Sequence, residues 1–98
     1  MASVRWTPQG VDDLESITNF IAKDSTYYAR LFAIDVLKAV DRLLIFPKSG
    51  RVVPELNNSS IREIILGNYR IVYRLKGKVA EILTVYHGSR LINPSQLK

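Results

Sequence analysis

The residues of this 98-residue chain that are best suited to chemistry are arginines set in an apolar stretch, residues 60–74. The stretch reads SIREIILGNYRIVYR and is rich in the β-branched residues that are typical of buried strands. It nevertheless contains Arg62, Arg70 and Arg74. A guanidinium group is always charged, and its rigid fork of donors matches the oxygens of a phosphate. The stretch could therefore bind phosphate.

Two other side chains could transfer protons. Glu55 could accept one, and His87, the one histidine, titrates naturally near neutral pH. RNA supplies its own nucleophile, the 2′-OH, so a protein that cleaves RNA needs a base, an acid and positive charge at the phosphate. These residue types therefore allow RNA cleavage without a metal ion.

The same residues also allow a structural interpretation. Arginines on a strand are more often part of a solvated face or of a lattice of ion pairs, and Glu63 and Glu81 could be the partners. A single histidine at the end of a strand is also commonly structural. Residue types alone leave both interpretations open.

Composition excludes several classes of protein. Hydrophobic residues make up 47% of the chain and charged residues 23%, an ordinary globular mixture. The absence of cysteine excludes disulfides, thiol nucleophiles and zinc–thiolate sites, and with one histidine we expect no metal or other cofactor. No apolar run approaches the ~20 residues that cross a bilayer, and the N-terminus lacks the apolar core of a signal peptide. We therefore expect a cytoplasmic protein without a membrane partner.

Charge is distributed unevenly along the chain. Residues 1–50 contain six basic and six acidic residues, whereas residues 51–98 contain eight basic and three acidic ones. The whole net charge of +5 therefore lies in the second half. This asymmetry indicates an anionic partner, either nucleic acid or an acidic protein segment, or else simply a solubilising surface.

Periodicity and capping residues predict the elements that position these side chains. Residues 3–6 read as a strand, and a helix then begins with Thr7 as N-cap and Pro8 at the first helical position. Ser25 could cap a second helix, which ends before Pro47. Two helices with a short connection should form an antiparallel hairpin.

Strands are predicted after the helices. Residues 51–60 read as a loop, and the segments IREIIL, YRIVYRL and VAEILTVYH read as three strands joined by tight turns at GN and KGK. The predicted fold is α+β in the order β-α-α-β-β-β, with an antiparallel helical hairpin packed on one face of a small antiparallel sheet. The other face is expected to be open.

The alternation of side chains in the middle strand assigns them to the two faces of the sheet. The side chains expected beneath the helices are those of Tyr69, Ile71, Tyr73 and Leu75. Arg70 and Arg74 then lie on the open face. The alternation of side chains does not by itself assign Arg62 or His87 to the open face.

The combined pattern resembles the RelE/ParE superfamily of toxins from type II toxin–antitoxin modules, often described as plasmid-stabilisation proteins. The segments that carry the resemblance are VRWTPQGVDDLESITNFIA, FPKSGRVVPEL, IREIILGNYRIVYRL and AEILTVYHGSRLI. The resemblance covers nearly the whole chain and implies a single toxin domain, residues 1–98, with the fold predicted above. It also implies a hetero-oligomer with a cognate antitoxin encoded by an adjacent gene.

The superfamily divides by target. RelE-like members enter the ribosomal A site and cut mRNA without a metal, whereas ParE-like members poison DNA gyrase and lack the nuclease residues. By resemblance, Arg70 matches a transition-state stabiliser and Glu55 a catalytic base. His87 matches a histidine beside the general acid, and Arg90 an arginine near the leaving group.

Other positions both support and weaken the nuclease assignment. We expect Arg51, Arg62 and Arg74 to bind substrate phosphates. Ile64 stands where one nuclease branch has a second basic residue, Gly88 stands where a tyrosine follows the histidine, and LINPSQLK contains no tyrosine. The residues that are present favour a ribosome-dependent, metal-independent mRNA endoribonuclease. The alternatives are a gyrase inhibitor and a degenerate toxin that only binds its antitoxin.

Overall fold

The computed structural model of the chain describes residues 1–88, in which two helices lie between a first strand and four further strands. The helices are α1 (Pro8–Ala22) and α2 (Thr26–Asp41), and a 3-10 turn follows at Arg42–Leu44. The strands are β1 (Ser3–Trp6), β2 (Arg51–Val52), β3 (Ile61–Leu66), β4 (Tyr69–Lys76) and β5 (Val79–His87). The predicted α+β class is confirmed. Within residues 1–88, no helix has both the length and the apolar character needed to cross a membrane.

Both helices begin at the predicted caps. The Thr7 hydroxyl accepts a hydrogen bond from the Gly10 amide (3.1 Å), and the Ser25 hydroxyl accepts one from the Tyr28 amide (3.1 Å). These bonds satisfy amides that have no partner inside their own helix. Thr7 also donates to the carbonyl of Ile82 (2.6 Å), so the start of α1 is attached to β5.

The sheet is mixed, with the strand order β1-β5-β4-β3-β2. β1 pairs with β5 in parallel, and every other neighbouring pair is antiparallel. The prediction of a wholly antiparallel sheet therefore missed the orientation of β1. Parallel neighbours need a long connection between them, which the helical hairpin and the meander supply. The segment predicted as a loop also contains the short strand β2.

Two glycines close the hairpins of the meander. Gly67 lies between β3 and β4 and Gly77 between β4 and β5, with φ values of 58° and 57°. A positive φ strains residues that have a Cβ, so glycine is favoured at such positions in two-residue hairpin turns. The turns predicted at GN and KGK are confirmed.

The larger core lies between the helices and the sheet. Its buried members include Val36, Val40 and Leu43 from the helical half, and Ile71, Tyr73, Ile82 and Val85 from the sheet. This cluster confirms that alternate residues of β4 pack beneath the helices.

A second core covers the face of the sheet that was predicted to be open. Val53 packs there with Ile61, Val72 and Leu83, and Leu56 and Tyr86 pack against this group. Pro54 and the Asn/Ser cluster led to the prediction of a loop, and this loop also carries the apolar side chains of Val53 and Leu56. Burying one such side chain is worth about 1.5–3 kcal/mol, which favours folding the segment onto the sheet. The prediction of an open face was therefore wrong.

Candidate functional site

Arg70 is buried on the face of the sheet that the second core covers, with only 9% of its surface exposed. Its Nη1 donates to both carboxylate oxygens of Glu55 (3.0 and 2.7 Å) and to Glu63 (3.2 Å). Its Nε donates to the carbonyl of Gly88 (3.2 Å). Burial alone would lower the pKa of Arg70, but its hydrogen bond to Glu55 and the charges of Glu63 and Glu55 raise it overall. Arg70 therefore stays charged, with carboxylates as its immediate neighbours.

Glu63 links Arg70 to a second arginine. Its carboxylate is fully buried and accepts a hydrogen bond from Nε of Arg51 (2.6 Å), while Arg51 remains more than half exposed. The four residues Arg51, Glu63, Arg70 and Glu55 form a continuous chain of contacts, here called the ion-pair cluster. It contains two positive and two negative groups and is neutral overall.

Strand register brings the members of the ion-pair cluster to one face. Arg51 lies opposite Glu63 in the β2–β3 pair, and Arg70 lies diagonally across from Glu63 in the β3–β4 pair. Glu55 comes from the segment whose neighbours Val53 and Leu56 pack in the second core. Packing of that segment is therefore what brings a carboxylate to Arg70.

Both acidic residues that were suggested as partners make ion pairs, but only Glu63 pairs with an arginine of residues 60–74. Glu63 binds Arg51 and Arg70 within the ion-pair cluster. Glu81, towards the other edge of the sheet, is paired with Arg5 and lies 3.8 Å from Lys76. Much of the positive charge in the strands is thus matched by buried carboxylates.

Tyr86 also contacts Arg70, and the sequence analysis did not single it out. It lies opposite Arg70 in the β4–β5 pair, and the Arg70 guanidinium is 5.9 Å from the centre of its ring. Burial raises the pKa of Tyr86, an effect that the charge of Arg70 opposes. Its buried hydroxyl finds no hydrogen-bond partner among residues 1–88. Cross-strand register with position 70 was the signal that could have identified it.

His87 projects from the other face of the sheet. Adjacent residues of a strand point to opposite faces, so His87 and Tyr86 diverge. The His87 ring meets Tyr69 edge-on, with 5.5 Å between ring centres, and Tyr69 in turn packs 4.9 Å from Phe32 of α2. The structure therefore places His87 on the helix side, away from Arg70.

Two further predicted site residues, Arg62 and Arg74, also lie apart from Glu55 and Arg70. Arg62 donates to backbone carbonyls of Lys48, Gly50 and Ser59, at 3.3, 3.0 and 3.2 Å, and so joins two loops. Arg74 is partly buried four residues along β4, ~13 Å from Arg70 at the usual rise of a strand. Arg90 lies outside the described residues.

A search for metal-binding groups covers the part of the chain that the structure describes. Within residues 1–88, no three His, Asp or Glu side chains converge in a way that could hold a metal ion. The arrangement around Arg70 can bind an anion, and here the anions are the protein's own carboxylates.

Comparison with known proteins gives consistent matches to toxins. The family model for the ParE toxin of the type II toxin–antitoxin system parDE matches residues 4–92. The chain is 37% identical over 87 residues to "Putative toxin Y4kP" of Sinorhizobium fredii, a match that covers 87% of this chain and 86% of that protein.

Two solved structures share the fold. A chain of the chromosomal ParDE toxin–antitoxin system of P. aeruginosa superposes with a TM-score of 0.73 at 23% identity, covering 89% of this chain and 96% of that one. A chain of the toxin–antitoxin complex RelBE2 of Mycobacterium tuberculosis gives 0.59 at 20% identity, covering 88% and 96%. At these identities the likeness establishes the fold, while the family model, which spans most of the chain, establishes the family. The chain belongs to the ParE toxin family of type II toxin–antitoxin systems.

Proposed function

We propose that this toxin stops growth by binding a protein target rather than by cleaving mRNA, and that DNA gyrase, the target implied by resemblance to the ParE branch, is that protein. The observation that carries this proposal is the neutralisation of Arg70 by Glu55 and Glu63. An arginine that stabilises a reacting phosphate must offer positive charge to it. Here that charge is already taken up by carboxylates.

If a substrate phosphate replaced Glu55 as the partner of Arg70, the carboxylate of Glu63 would remain beside that phosphate. Glu63 is fully buried and bonded to Arg70 and Arg51, so it would stay in place next to an incoming phosphate. Like charges in a poorly solvated site repel each other strongly. This arrangement favours a structural role for Arg70.

The position of His87 supports the same conclusion. A general acid must lie within hydrogen-bond reach of the leaving group, directly or through one water molecule. His87 packs against Tyr69 on the helix side, whereas Arg70 faces the second core. A substrate phosphate held by Arg70 would therefore be on the wrong side of the sheet for His87.

An mRNA endoribonuclease is the second candidate, and one observation favours it. Glu55 and Arg70, the base and the transition-state stabiliser implied by the resemblance, lie 2.7 Å apart on one face, with Arg51 in the same cluster. Cleavage would require Glu55 to turn from Arg70 towards a ribose hydroxyl.

Two assays with purified components distinguish a gyrase inhibitor from an mRNA endoribonuclease. Toe-printing on a translating message detects ribosome-dependent cleavage, and a supercoiling and DNA-cleavage assay with gyrase detects gyrase poisoning. We expect inhibition in the gyrase assay and no cleavage of the message. Cleavage of the message would overturn the proposal. The proposal would also be overturned if induction of the toxin did not affect growth and both assays were negative. Binding to the antitoxin would then be the one remaining function among the candidates.

Glu55→Gln gives a matched test in cells, because it keeps the shape of the side chain and removes its basicity. A ribonuclease that uses Glu55 as base should lose about 10²–10⁴ in rate, whereas a gyrase inhibitor should remain toxic. Incorporation of a labelled amino acid and induction of the SOS response are followed after expression. Thermal unfolding of the variant provides the control for folding.

A further inference from the structure

Four basic side chains gather at one end of the sheet, around the turn that joins β4 to β5. They are Arg5 in β1, Arg74 and Lys76 in β4, and Lys78 in the turn, and they are here called the basic hairpin end. None of them belongs to the ion-pair cluster, and Arg74 lies ~13 Å along β4 from Arg70 at the usual rise of a strand. This group of charges is therefore a separate feature of the molecule.

Strand register sets the side chains of the basic hairpin end on one face. Arg5 and Arg74 both lie directly opposite Glu81, in the β1–β5 and β4–β5 pairs. Arg74 also lies opposite Ile61, a member of the second core, so this row lies on the face away from the helices. Lys76 follows Arg74 by two positions and points to the same face. Since neighbouring strands are ~4.8 Å apart, the backbones of the two arginines are ~10 Å apart.

One buried carboxylate holds these cations in place without neutralising them. Glu81 is 4% exposed, is paired with Arg5 and lies 3.8 Å from the ammonium group of Lys76. It is the one acidic residue in β1, β4, β5 and the turn between β4 and β5. About two thirds of the Arg5 and Lys76 side chains remains exposed. The basic hairpin end therefore keeps an excess of positive charge towards solvent.

The other two cations have no acidic partner in the part of the chain that the structure describes. Neither Arg74 nor Lys78 makes an ion pair there, although Arg74 is partly buried on a central strand. A guanidinium presents a rigid fork of donors that matches the oxygens of a phosphate. Arg74 is thus held in position with donors to spare for an anion from outside.

The turn between β4 and β5 projects into solvent. Lys76, Gly77 and Lys78 are all exposed, and apart from its chain neighbours no atom lies within 4 Å of the position that a Cβ of Gly77 would take. The turn between β3 and β4, at Gly67 and Asn68, is equally open but carries no charge. Because glycine is what such a turn requires, the fold does not need the two lysines.

The surroundings distinguish between an acidic protein and a nucleic acid as the anionic partner. Protein interfaces are anchored by apolar and aromatic side chains. The large apolar side chains that are exposed within residues 1–88 lie elsewhere, and none of them is in β1, β4, β5 or their turn. A nucleic-acid backbone needs cations and hydrogen-bond donors rather than apolar anchors. The basic hairpin end therefore fits a nucleic acid better.

We propose that the basic hairpin end binds the phosphate backbone of duplex DNA without sequence preference. Single strands are normally held by aromatic side chains that stack on their bases, and the basic hairpin end presents none. A two-stranded ribbon fits the ~12 Å major groove of B-DNA, whereas the major groove of A-form RNA is deep and narrow. One strand of a duplex carries a phosphate every ~3.4 Å along the axis, so cations ~10 Å apart lie over several phosphates. The proposal does not rest on gyrase being the target.

The experiment measures binding of the purified full-length toxin to a short fluorescent DNA duplex of mixed sequence by fluorescence anisotropy. Each phosphate that a cation neutralises releases counterions, so binding should weaken as salt is added. With four phosphate contacts, a plot of the logarithm of the binding constant against the logarithm of salt concentration should have a slope of about −3.6. This slope corresponds to a loss of affinity of about a hundredfold between 50 and 200 mM salt.

A pair of double variants tests the surface. Lys76→Gln combined with Lys78→Gln should weaken binding and make the slope less steep by about 2. Lys23→Gln combined with Lys38→Gln removes the same charge from exposed positions after α1 and on α2, and it should keep the slope of the wild type. Because all four lysines are exposed, thermal unfolding of both double variants should match that of the wild type.

Several outcomes would overturn the proposal. Equal slopes of the two double variants would show that the basic hairpin end is not the binding surface. Tighter binding to a single strand or to duplex RNA would exclude duplex DNA as the ligand. Displacement of the duplex by polyglutamate at the same concentration of negative charge would show that an acidic polypeptide is bound instead. These assays contain neither gyrase nor ribosomes, so this proposal and the proposed function can fail separately.

Discussion

The Arg70 guanidinium binds acceptors from three separate parts of the chain. They are Glu55 in the segment after β2, Glu63 in β3 and the carbonyl of Gly88 after β5. One side chain therefore fixes the segment that covers the second core to the sheet beneath it. The chemistry that suits arginine to phosphate also suits it to this role, because both use a rigid fork of charged donors.

Replacement of Arg70 should test this structural role directly. Arg70→Ala leaves buried Glu63 and partly buried Glu55 without their shared cation, and loss of one member of a buried ion pair typically costs about 3–5 kcal/mol. We expect a loss of that order in the free energy of unfolding, measured by urea denaturation. Lys78→Ala, at an exposed position in the turn after the same strand, is the control and should change stability by about 0.5 kcal/mol or less. A fully stable Arg70→Ala protein that has lost toxicity would instead support a catalytic Arg70.

Ionisation of the Tyr73 hydroxyl should make the free energy of unfolding depend on pH in the alkaline range. Its fully buried hydroxyl donates to the carbonyl of Pro47 (2.8 Å) and accepts from the amide of Gly50 (3.0 Å). Burial raises the pKa of Tyr73 above its ordinary value of 10.0, although the Gly50 bond and the charge of Arg62 oppose this. Because the unfolded chain then ionises first, this contribution to stability is complete below pH 10.0 and is lost as the pH rises through the folded-state pKa.

The measurement is the free energy of unfolding at a series of pH values from neutral to strongly alkaline. Tyr73→Phe should flatten the decline above pH 10.0, and it should also lower stability at neutral pH by about 1–3 kcal/mol because two buried backbone groups lose their partner. Tyr86, whose pKa burial also raises, contributes in the same direction. An alkaline decline that is identical in the wild type and Tyr73→Phe would contradict the prediction.

At the scale of elements, the segment between α2 and β3 decides the character of the candidate site. It supplies the short β2 and the packing residues Val53 and Leu56, and it brings Glu55 to Arg70. Gly50, the residue before β2, packs closely against the sheet: a Cβ there would lie 2.6 Å from the Tyr73 hydroxyl and 2.8 Å from the Glu63 carbonyl. Only a residue without a side chain allows β2 to approach β4 and β3 so closely.

Gly50→Ala should therefore weaken the attachment of this segment. Overpacking of a tight contact typically costs about 1–3 kcal/mol, and we expect a loss of that size in chemical denaturation. Ser49→Ala, at the exposed neighbouring position, should be nearly neutral. Equal stability of the two variants would show that the segment shifts freely and would weaken the argument that it holds Glu55 in place.

At the scale of the whole molecule, charge separates into a neutral interior and a basic exterior. The ion-pair cluster is neutral and cancels the charge of Arg70 inside the fold, so the net charge of +5 of the chain comes from residues outside this cluster. Exposed basic groups such as Arg42 and Lys48 would attract an acidic segment of a partner. Long-range attraction of this kind acts mainly on the rate of encounter.

The association rate of toxin and antitoxin should consequently fall as the salt concentration rises. The Debye length shortens from about 10 Å at 0.1 M to about 3 Å at 1 M ionic strength, so surface charges no longer attract at a distance. Stopped-flow measurement at several salt concentrations should show a slower association and a much smaller change in dissociation. A rate independent of salt would mean that the basic surface plays no part in the encounter.

Local signals in the sequence were sufficient for most of the elements. The helices begin at Thr7 and Ser25 because the side-chain hydroxyl of each accepts a hydrogen bond from a free amide in the first turn. The hairpin turns lie at Gly67 and Gly77 because glycine adopts a positive φ without strain. The orientation of β1 was not predictable in the same way, because its pairing with β5 joins residues more than 70 positions apart. Even so, the family resemblance was visible in the sequence, because its motifs span nearly the whole chain.

The environment of Arg70 was decided only by the tertiary structure. Alternation placed Arg70 on the face away from the helices, but it carried no information on whether Val53 and Leu56 would fold over that face. Likewise, Glu55 and His87 suit proton transfer as residue types, yet strand register and packing place them on different sides of the sheet. The sequence by itself determined which charged groups the molecule has and the elements that carry them. Long-range packing decided that Arg70 meets one buried and one partly buried carboxylate, because such contacts depend on apolar burial between segments far apart in the chain.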